Sequence, residues 1–90
     1  MQGDIKQIER VLKALANKRR LLIIKYLKAK KEATVGDIAE FIKLSFKATS
    51  KHLSVLKSAD IIEYEQRSLL YFYRLTSPLP APARPILTLL

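Results

Sequence analysis

The apolar residues change their spacing near residue 60, and this change limits the folds open to the chain. Over residues 5–59 they recur every three or four positions, which is the period of an amphipathic α-helix. Over residues 62–75 the side chains alternate between two faces, which is the period of a β-strand. Ninety residues hold a single hydrophobic core. The sequence therefore predicts one α+β domain, mostly α, with a two-stranded hairpin after its helices.

Two helices are predicted before residue 31. Asp4 can cap the first, which ends near Ala16, and Asn17 can cap the second, which ends near Lys30. The first carries one apolar stripe, formed by Ile5, Ile8, Val11, Leu12 and Leu15. The second is apolar on more than one side, at Leu21, Leu22, Ile24, Tyr26 and Leu27. A helix with this pattern is predicted to lie in the centre of the domain.

A helix-turn-helix is predicted over residues 34–59. Thr34 and Asp37 resemble a capping box at the start of a short third helix. Ser45 is a suitable N-cap for a fourth helix, because its hydroxyl can accept from an unpaired backbone amide. Only residues 43–44 separate the two helices, and a turn this short is typical of a helix-turn-helix.

The fourth helix has two chemically different faces. One is a stripe predicted to be buried, formed by Thr49, Leu53, Leu56 and Ala59. The other carries hydroxyls and positive charge, in Lys47, Ser50, Lys51, Ser54, Lys57 and Ser58. Lysines and short hydroxyls suit contacts with DNA phosphates and base edges. An ordinary amphipathic helix with a solvated face has the same pattern, so the helix alone does not decide between the two interpretations.

The net charge favours nucleic acid as the partner. Seventeen Lys and Arg residues against eight Asp and Glu residues give +9, a strong positive field for one small domain. An anionic membrane surface is the weaker alternative, since the basic residues are not confined to one amphipathic helix. The apolar runs are too short to span a bilayer, and residues 1–4 open no signal peptide. We therefore expect no membrane partner and a cytoplasmic location.

The residue types needed for catalysis or metal binding are scarce. The chain has no cysteine, one histidine and two glycines. It therefore lacks a thiolate site, a histidine pair and a glycine-rich phosphate loop. His52 is predicted to be a hydrogen-bonded residue at the edge of the core. No enzyme activity, metal site or cofactor is predicted.

The last thirty residues are predicted to form a hairpin and a tail. Ile62, Tyr64, Tyr71, Tyr73 and Leu75 can share one face of the hairpin, and Glu63, Glu65, Leu70 and Phe72 the other. Residues 66–69 lack an Asn-Gly or Asp-Gly turn signal, so the loop is expected to be wider than two residues. Four prolines between residues 78 and 85 predict an extended or polyproline segment. Residues 1–77 are thus assigned to the domain and 78–90 to an apolar, proline-rich tail.

In this order the elements resemble a winged helix-turn-helix, and the sequence is similar to the ArsR family of repressors over roughly residues 11–76. The similarity is carried by residues 15–24, by Ser50-Lys51-His52-Leu53 with its flanking residues, and by residues 71–75. The resemblance implies a transcription regulator, expected to be a repressor, that binds double-stranded DNA as a homodimer. Two recognition helices would enter major grooves about 34 Å apart. The predicted DNA contacts are Ser45, Phe46, Lys47, Thr49, Ser50, Lys51, Ser54 and Arg67.

The chain departs from the family at its metal sites and in its wing. Family metal sensors carry Cys-Val-Cys-Asp-Leu where this chain reads Thr34-Val35-Gly36-Asp37-Ile38, and Thr and Gly cannot hold a soft metal. The usual wing glycine is Ser68, and Glu65, Leu69 and Leu70 occupy positions that are often basic. We therefore expect no metal response and a wing with Arg67 as its one charged donor at the tip.

The resemblance also implies a dimer interface formed by the first helix and a C-terminal helix. The tail's prolines are expected to prevent that second helix, so its apolar residues would complete the interface in an extended form or fold back beside the first helix. The predicted interface residues are Ile5, Ile8, Leu12, Leu15, Ile86, Leu87, Leu89 and Leu90. An alternative function is a protein–protein interaction module that uses wing and tail. The sequence does not indicate a small-molecule effector.

Overall fold

Up to residue 75, the helices and the hairpin follow one another in the order expected from the spacing of the apolar residues. The computed structural model describes residues 4–90. The helices are α1 Ile5–Leu15, α2 Lys18–Lys30, α3 Val35–Ile42, α4 Phe46–Ser58 and α5 Arg84–Leu89, with a 3₁₀ helix at Ala81–Ala83. The strands are β1 Ala33–Thr34, β2 Ile62–Arg67 and β3 Leu70–Leu75. The signal-peptide prediction falls largely on residues 1–3, which lie outside the described residues.

The first two helices begin at the predicted caps. Asp4 accepts a hydrogen bond from the Lys6 amide at 3.0 Å, and Asn17 accepts one from the Arg20 amide at 3.1 Å. These side-chain oxygens satisfy amides that have no partner within the helix. The predicted start and end of α2 are confirmed, and α1 ends one residue before its C-cap, Ala16.

The apolar stripe of α1 divides between the core and the surface. Val11 and Leu15 are buried, whereas Ile5 is 77% and Leu12 50% exposed. The central position predicted for α2 is confirmed, since Ile23, Ile24 and Leu27 are buried. Ile23 was not among the residues predicted for the α2 core, although no part of its side chain is exposed.

The helix-turn-helix forms as predicted. Thr34 accepts from the Asp37 amide at 3.2 Å, and Asp37 accepts from the Thr34 amide at 3.4 Å, which completes the capping box. Lys43 ends α3 in the left-handed conformation at φ 58°, and the next amide donates to the Ala39 carbonyl at 3.1 Å. Ser45 then caps α4 by accepting from the Ala48 amide at 3.1 Å.

The sheet has the strand order β1-β3-β2, and every pairing in it is antiparallel. The β2–β3 hairpin, residues 62–75, is the wing. Its register pairs Tyr64 with Tyr73 and Glu65 with Phe72, which confirms the two predicted faces. The wide loop was wrong: Arg67 pairs with Leu70, and only residues 68–69 turn. Ser68 takes the positive φ, 59°, that such a turn needs, a conformation glycine normally supplies.

The extended tail was also wrong. Pro82 lies in the 3₁₀ helix, and Pro85 lies in the first turn of α5. A helix tolerates proline in its first turn, because the missing N–H would have no partner there. Leu79 and Ala83 are buried and join the same core as the helices. The tail therefore folds back on the domain, where the Lys28 ammonium donates to the Leu87 carbonyl at 3.1 Å.

Candidate nucleic-acid interface

The outer face of α4 presents hydroxyls and ammonium groups to solvent. Ser45, Lys47, Lys51 and Ser54 are exposed, Ser50 is half-buried, and Phe46 is 63% exposed. Within residues 4–90, neither Lys47 nor Lys51 forms a salt bridge. Both ammonium groups are therefore available to an anion. The first turns of α4 offer a surface that can accept a phosphate backbone without breaking an existing ion pair.

The inner face of α4 is locked in the core. Leu53 and Leu56 are almost without exposed surface, and Thr49 has none. Thr49 is therefore removed from the predicted DNA contacts, because a side chain with no exposed surface cannot touch DNA. Its hydroxyl has no hydrogen-bond partner among residues 4–90. Thr49 thus contributes to packing, as its place in the apolar stripe predicts.

A side-chain junction joins α4 to α1 and α2. The Arg20 guanidinium donates to the Ala14 carbonyl at 2.6 Å and to the Lys13 carbonyl at 3.2 Å. It also donates to Nδ1 of His52 at 3.2 Å, so that nitrogen must be unprotonated. Burial, with Arg20 and Arg19 nearby, lowers the pKa of His52. This confirms the prediction for His52, but the role of Arg20 in orienting α4 was missed, since no local sequence signal pairs residues so far apart.

The one predicted wing contact, Arg67, is already held by carboxylates. Its guanidinium donates two bonds to Glu32, at 2.7 and 2.8 Å, and one to Glu65 at 3.1 Å. Glu32 lies in the short link between α2 and β1. The arrangement ties the wing tip to the body of the domain. Contact between Arg67 and DNA remains a prediction. Its carboxylate partners, Glu32 and Glu65, were not predicted from the sequence.

The wing tip itself is apolar and exposed. Leu69 is 90% and Leu70 54% exposed. On the other face of the wing, Tyr64 packs edge-on against Tyr71 with their ring centroids 5.1 Å apart. The Lys57 ammonium of α4 lies 5.2 Å from the Tyr64 ring centre, a cation–π contact between the wing and α4.

A separate apolar surface joins α1 to α5. One shallow groove along α1 includes Ile5, Ile8, Leu12 and Ala16 in its lining. A second continues it, lined by Leu12, Leu15, Ala16, Leu21, Ile86, Leu89 and Leu90. We call this continuous surface the α1–α5 face. Seven of the eight predicted dimer residues line it; the exception, Leu87, packs partly against the core. Leu15 is nearly buried already and can add little interface area.

The remaining chemistry of the described part of the chain is limited. Residues 4–90 contain no group of three or more His, Asp or Glu side chains that could hold a metal ion. Across the same residues, no helix has the length and hydropathy needed to cross a bilayer.

Comparison with known proteins places these features in a family. Residues 17–64 match the family described as "Bacterial regulatory protein, arsR family". The chain is 34% identical over 67 residues to the transcriptional repressor SdpR of Bacillus subtilis, which covers 74% of this chain and 73% of SdpR. It is 36% identical over 67 residues to the transcriptional activator HlyU of Vibrio cholerae, covering 74% of this chain and 61% of HlyU. The latter match spans less than two thirds of HlyU.

Solved structures agree with these matches. HlyU from Vibrio cholerae superposes with a TM-score of 0.80 at 28% identity, covering 99% of this chain and 92% of HlyU. The homodimeric winged helix-turn-helix DNA-binding domain of Mb0332 from Mycobacterium bovis gives 0.80 at 32% identity, covering 99% and 85%. The winged helix-turn-helix predicted from the sequence is confirmed.

Proposed function

This chain belongs to the arsR family of bacterial regulatory proteins. From that premise we propose that it is a homodimeric regulator that binds double-stranded DNA of specific sequence through α4. Membership confirms the prediction of a transcription regulator and not an enzyme. The observation that supports DNA binding best is the outer face of α4. It carries exposed hydroxyls, and lysines that form no salt bridge within residues 4–90, on a helix whose inner face is fixed in the core.

The proposed contacts are Ser45, Phe46, Lys47, Ser50, Lys51 and Ser54. The lysines would neutralise phosphates, which supplies most of the affinity and makes it depend on salt. The hydroxyls would bond phosphate oxygens or base edges. Phe46, at the first position of the helix, could contact a thymine methyl group, since apolar side chains read that group in the major groove.

The α1–α5 face supports the homodimer. Exposed apolar residues on α1 and α5 form one continuous surface, and burying each side chain contributes at most about 1.5–3 kcal/mol. The similar Mb0332 domain is a homodimer. A two-fold axis through this face would present two α4 helices to successive major grooves, about 34 Å apart.

The experiment that tests the proposal removes charge from α4. Lys47→Ala with Lys51→Ala should weaken binding to duplex DNA and reduce the slope of log K against log salt by about 0.9 for each lost phosphate contact. A matched control, Lys25→Ala with Lys30→Ala, removes the same charge from exposed positions on α2. A folded α4 variant that binds DNA like the unchanged protein would overturn the assignment of α4 as the recognition helix.

We retain the repressor prediction as part of the proposal, although the two named relatives regulate in opposite directions, SdpR as a repressor and HlyU as an activator. Reporter expression from the bound promoter, with and without the protein, decides the direction. We also propose that metals do not control binding. Zinc, cadmium and arsenite should leave DNA affinity unchanged, because the positions of the family's metal-binding cysteines hold Thr34 and Gly36.

The second candidate function is a protein–protein interaction module, which the exposed Leu69 and Leu70 of the wing tip favour. Binding to duplex DNA of random sequence separates the two candidates. Salt-dependent binding supports the regulator, whereas no binding at low salt favours the interaction module.

A further inference from the structure

Four contacts hold the Arg67 guanidinium. Two parallel hydrogen bonds reach the Glu32 carboxylate and a third reaches Glu65, at 2.7–3.1 Å. The guanidinium also lies over the Phe72 ring, 4.6 Å from its centre. A bidentate pair is the geometry in which arginine and carboxylate match best. Arg67 is therefore fixed on the face of the wing that points toward the link between α2 and β1.

The wing cluster comprises Arg67 and Arg74 together with Glu32, Glu63 and Glu65. Arg74 donates to Glu63 at 2.9 Å and to Glu65 at 3.1 Å, so Glu65 bridges the two arginines. Two positive and three negative groups leave a net charge of −1 within a chain of +9. The hydrogen bond from Arg67 lowers the pKa of Glu32 and of Glu65, because it stabilises the charged form of both carboxylates. The wing therefore adds no positive charge to the protein's surface.

A phosphate competing for Arg67 would meet an electrostatic obstacle. Moving the guanidinium away leaves Glu32 unpaired beside the incoming phosphate, while Glu65 keeps its pair with Arg74, and like charges repel. An exposed ion pair contributes little by itself, so repulsion between the released Glu32 carboxylate and the phosphate adds to the cost of the exchange. Lys47 and Lys51 face no such cost, since neither is paired within residues 4–90.

We propose that Arg67 stays bound to Glu32 when the protein binds DNA, and that Glu32 is the residue that prevents the wing from adding to DNA affinity. This inference rests on the proposed DNA-binding function and assigns a role within it. Glu32 restricts phosphate contacts to α4, so a larger share of the binding energy comes from the helix that faces the bases. Glu32 thereby sets the balance between nonspecific and specific binding.

Three variants test this assignment, and for each the affinity for duplex DNA of random sequence is measured as a function of salt concentration. Glu32→Gln removes the charge of the carboxylate that holds Arg67 by two bonds and leaves the single bond to Glu65. This variant should bind DNA more tightly, with a slope steeper by about 0.9 for the one added phosphate contact. Arg67→Gln should leave the slope unchanged, because Arg67 contacts no phosphate in the unchanged protein. The double variant Glu32→Gln with Arg67→Gln has the original net charge and should return to the original slope.

A charge-matched control separates a local effect from a general one. Glu40→Gln on α3 raises the net charge by the same amount but pairs with no arginine within residues 4–90. Its slope should change less than that of Glu32→Gln. Equal changes of slope in Glu40→Gln and Glu32→Gln would overturn the inference. A slope that is shallower by about 0.9 in Arg67→Gln would overturn it as well. Thermal melting of each variant checks that the fold is kept.

Failure of this inference is distinguishable from failure of the proposed function. If Lys47→Ala with Lys51→Ala weakens DNA binding and Arg67→Gln does so equally, then α4 is the recognition helix and the wing is an open phosphate contact. If the unchanged protein shows no salt-dependent binding to duplex DNA, both proposals are wrong.

Discussion

At the scale of single residues, Thr49 places a polar hydroxyl at a fully buried position. Its hydroxyl is buried without a hydrogen-bond partner among residues 4–90. A buried unsatisfied polar group costs roughly 1–3 kcal/mol, and valine has the same shape without it. Thr49→Val should therefore raise the free energy of unfolding in urea by part of that amount. DNA affinity should not change; a loss of affinity at equal stability would return Thr49 to the interface.

His52 makes a pH dependence measurable, because it is the single histidine of the chain. Its pKa is lowered in the folded protein, so the unfolded chain, with a pKa near 6.5, takes up the proton first as pH falls. The free energy of unfolding should therefore be largest above about pH 6.5 and should decrease as pH falls through the lowered pKa of the folded state.

The variant His52→Gln isolates this effect. Glutamine can still accept from Arg20 but does not titrate, so its free energy of unfolding should be flat over the same window. The stability that Glu32 and Glu65 contribute through their lowered pKa values is lost only at pH values below about 4.5. Urea denaturation at several pH values gives the comparison. If the free energy of unfolding changed with pH equally in the unchanged protein and in His52→Gln, His52 would not be the cause of the pH dependence.

At the scale of elements, the C-terminal segment is part of the domain and not an appendage. Leu79 is 8% exposed and packs in the core, and Arg84 donates to the Leu79 carbonyl at 2.9 Å. Leu79→Ala should lower the free energy of unfolding by about 2–5 kcal/mol, the usual cost of truncating a buried leucine. Truncation after Ser77 should lower it further. Thr88→Ala, at an exposed position on α5, is the control and should change little.

At the scale of the whole molecule, the α1–α5 face is predicted to hold two copies together. Leu12→Glu and Leu89→Glu place charge in that surface and should raise the monomer fraction in sedimentation velocity, because a charge loses hydration when it is buried. Binding should weaken more on a palindromic duplex than on a half-site. Leu69→Glu, at the exposed wing tip, is the control and should leave assembly unchanged. A Leu12→Glu protein that remains dimeric at micromolar concentration would contradict this interface.

What the sequence by itself determined is local. The limits of α2, the capping box of α3 and the faces of the wing follow from contacts between residues at most four apart or directly paired across a hairpin. The outer face of α4 was predictable for the same reason, since Ser45 fixes where the helix begins and the helical period fixes which side chains share a face. The regulator family followed from the same local runs.

Only the tertiary structure decided the contacts between distant residues. Glu32 and Arg67 lie 35 positions apart, and Arg20 and His52 lie 32 apart, so no periodicity indicates that they meet. The prediction of an extended tail failed because Pro85 lies in the first turn of α5, where a helix tolerates proline. Leu79 packs in a core site that exists only once the helices have folded together. Side-chain pairing and burial depend on which surfaces the fold brings together, and local spacing carries no information about them.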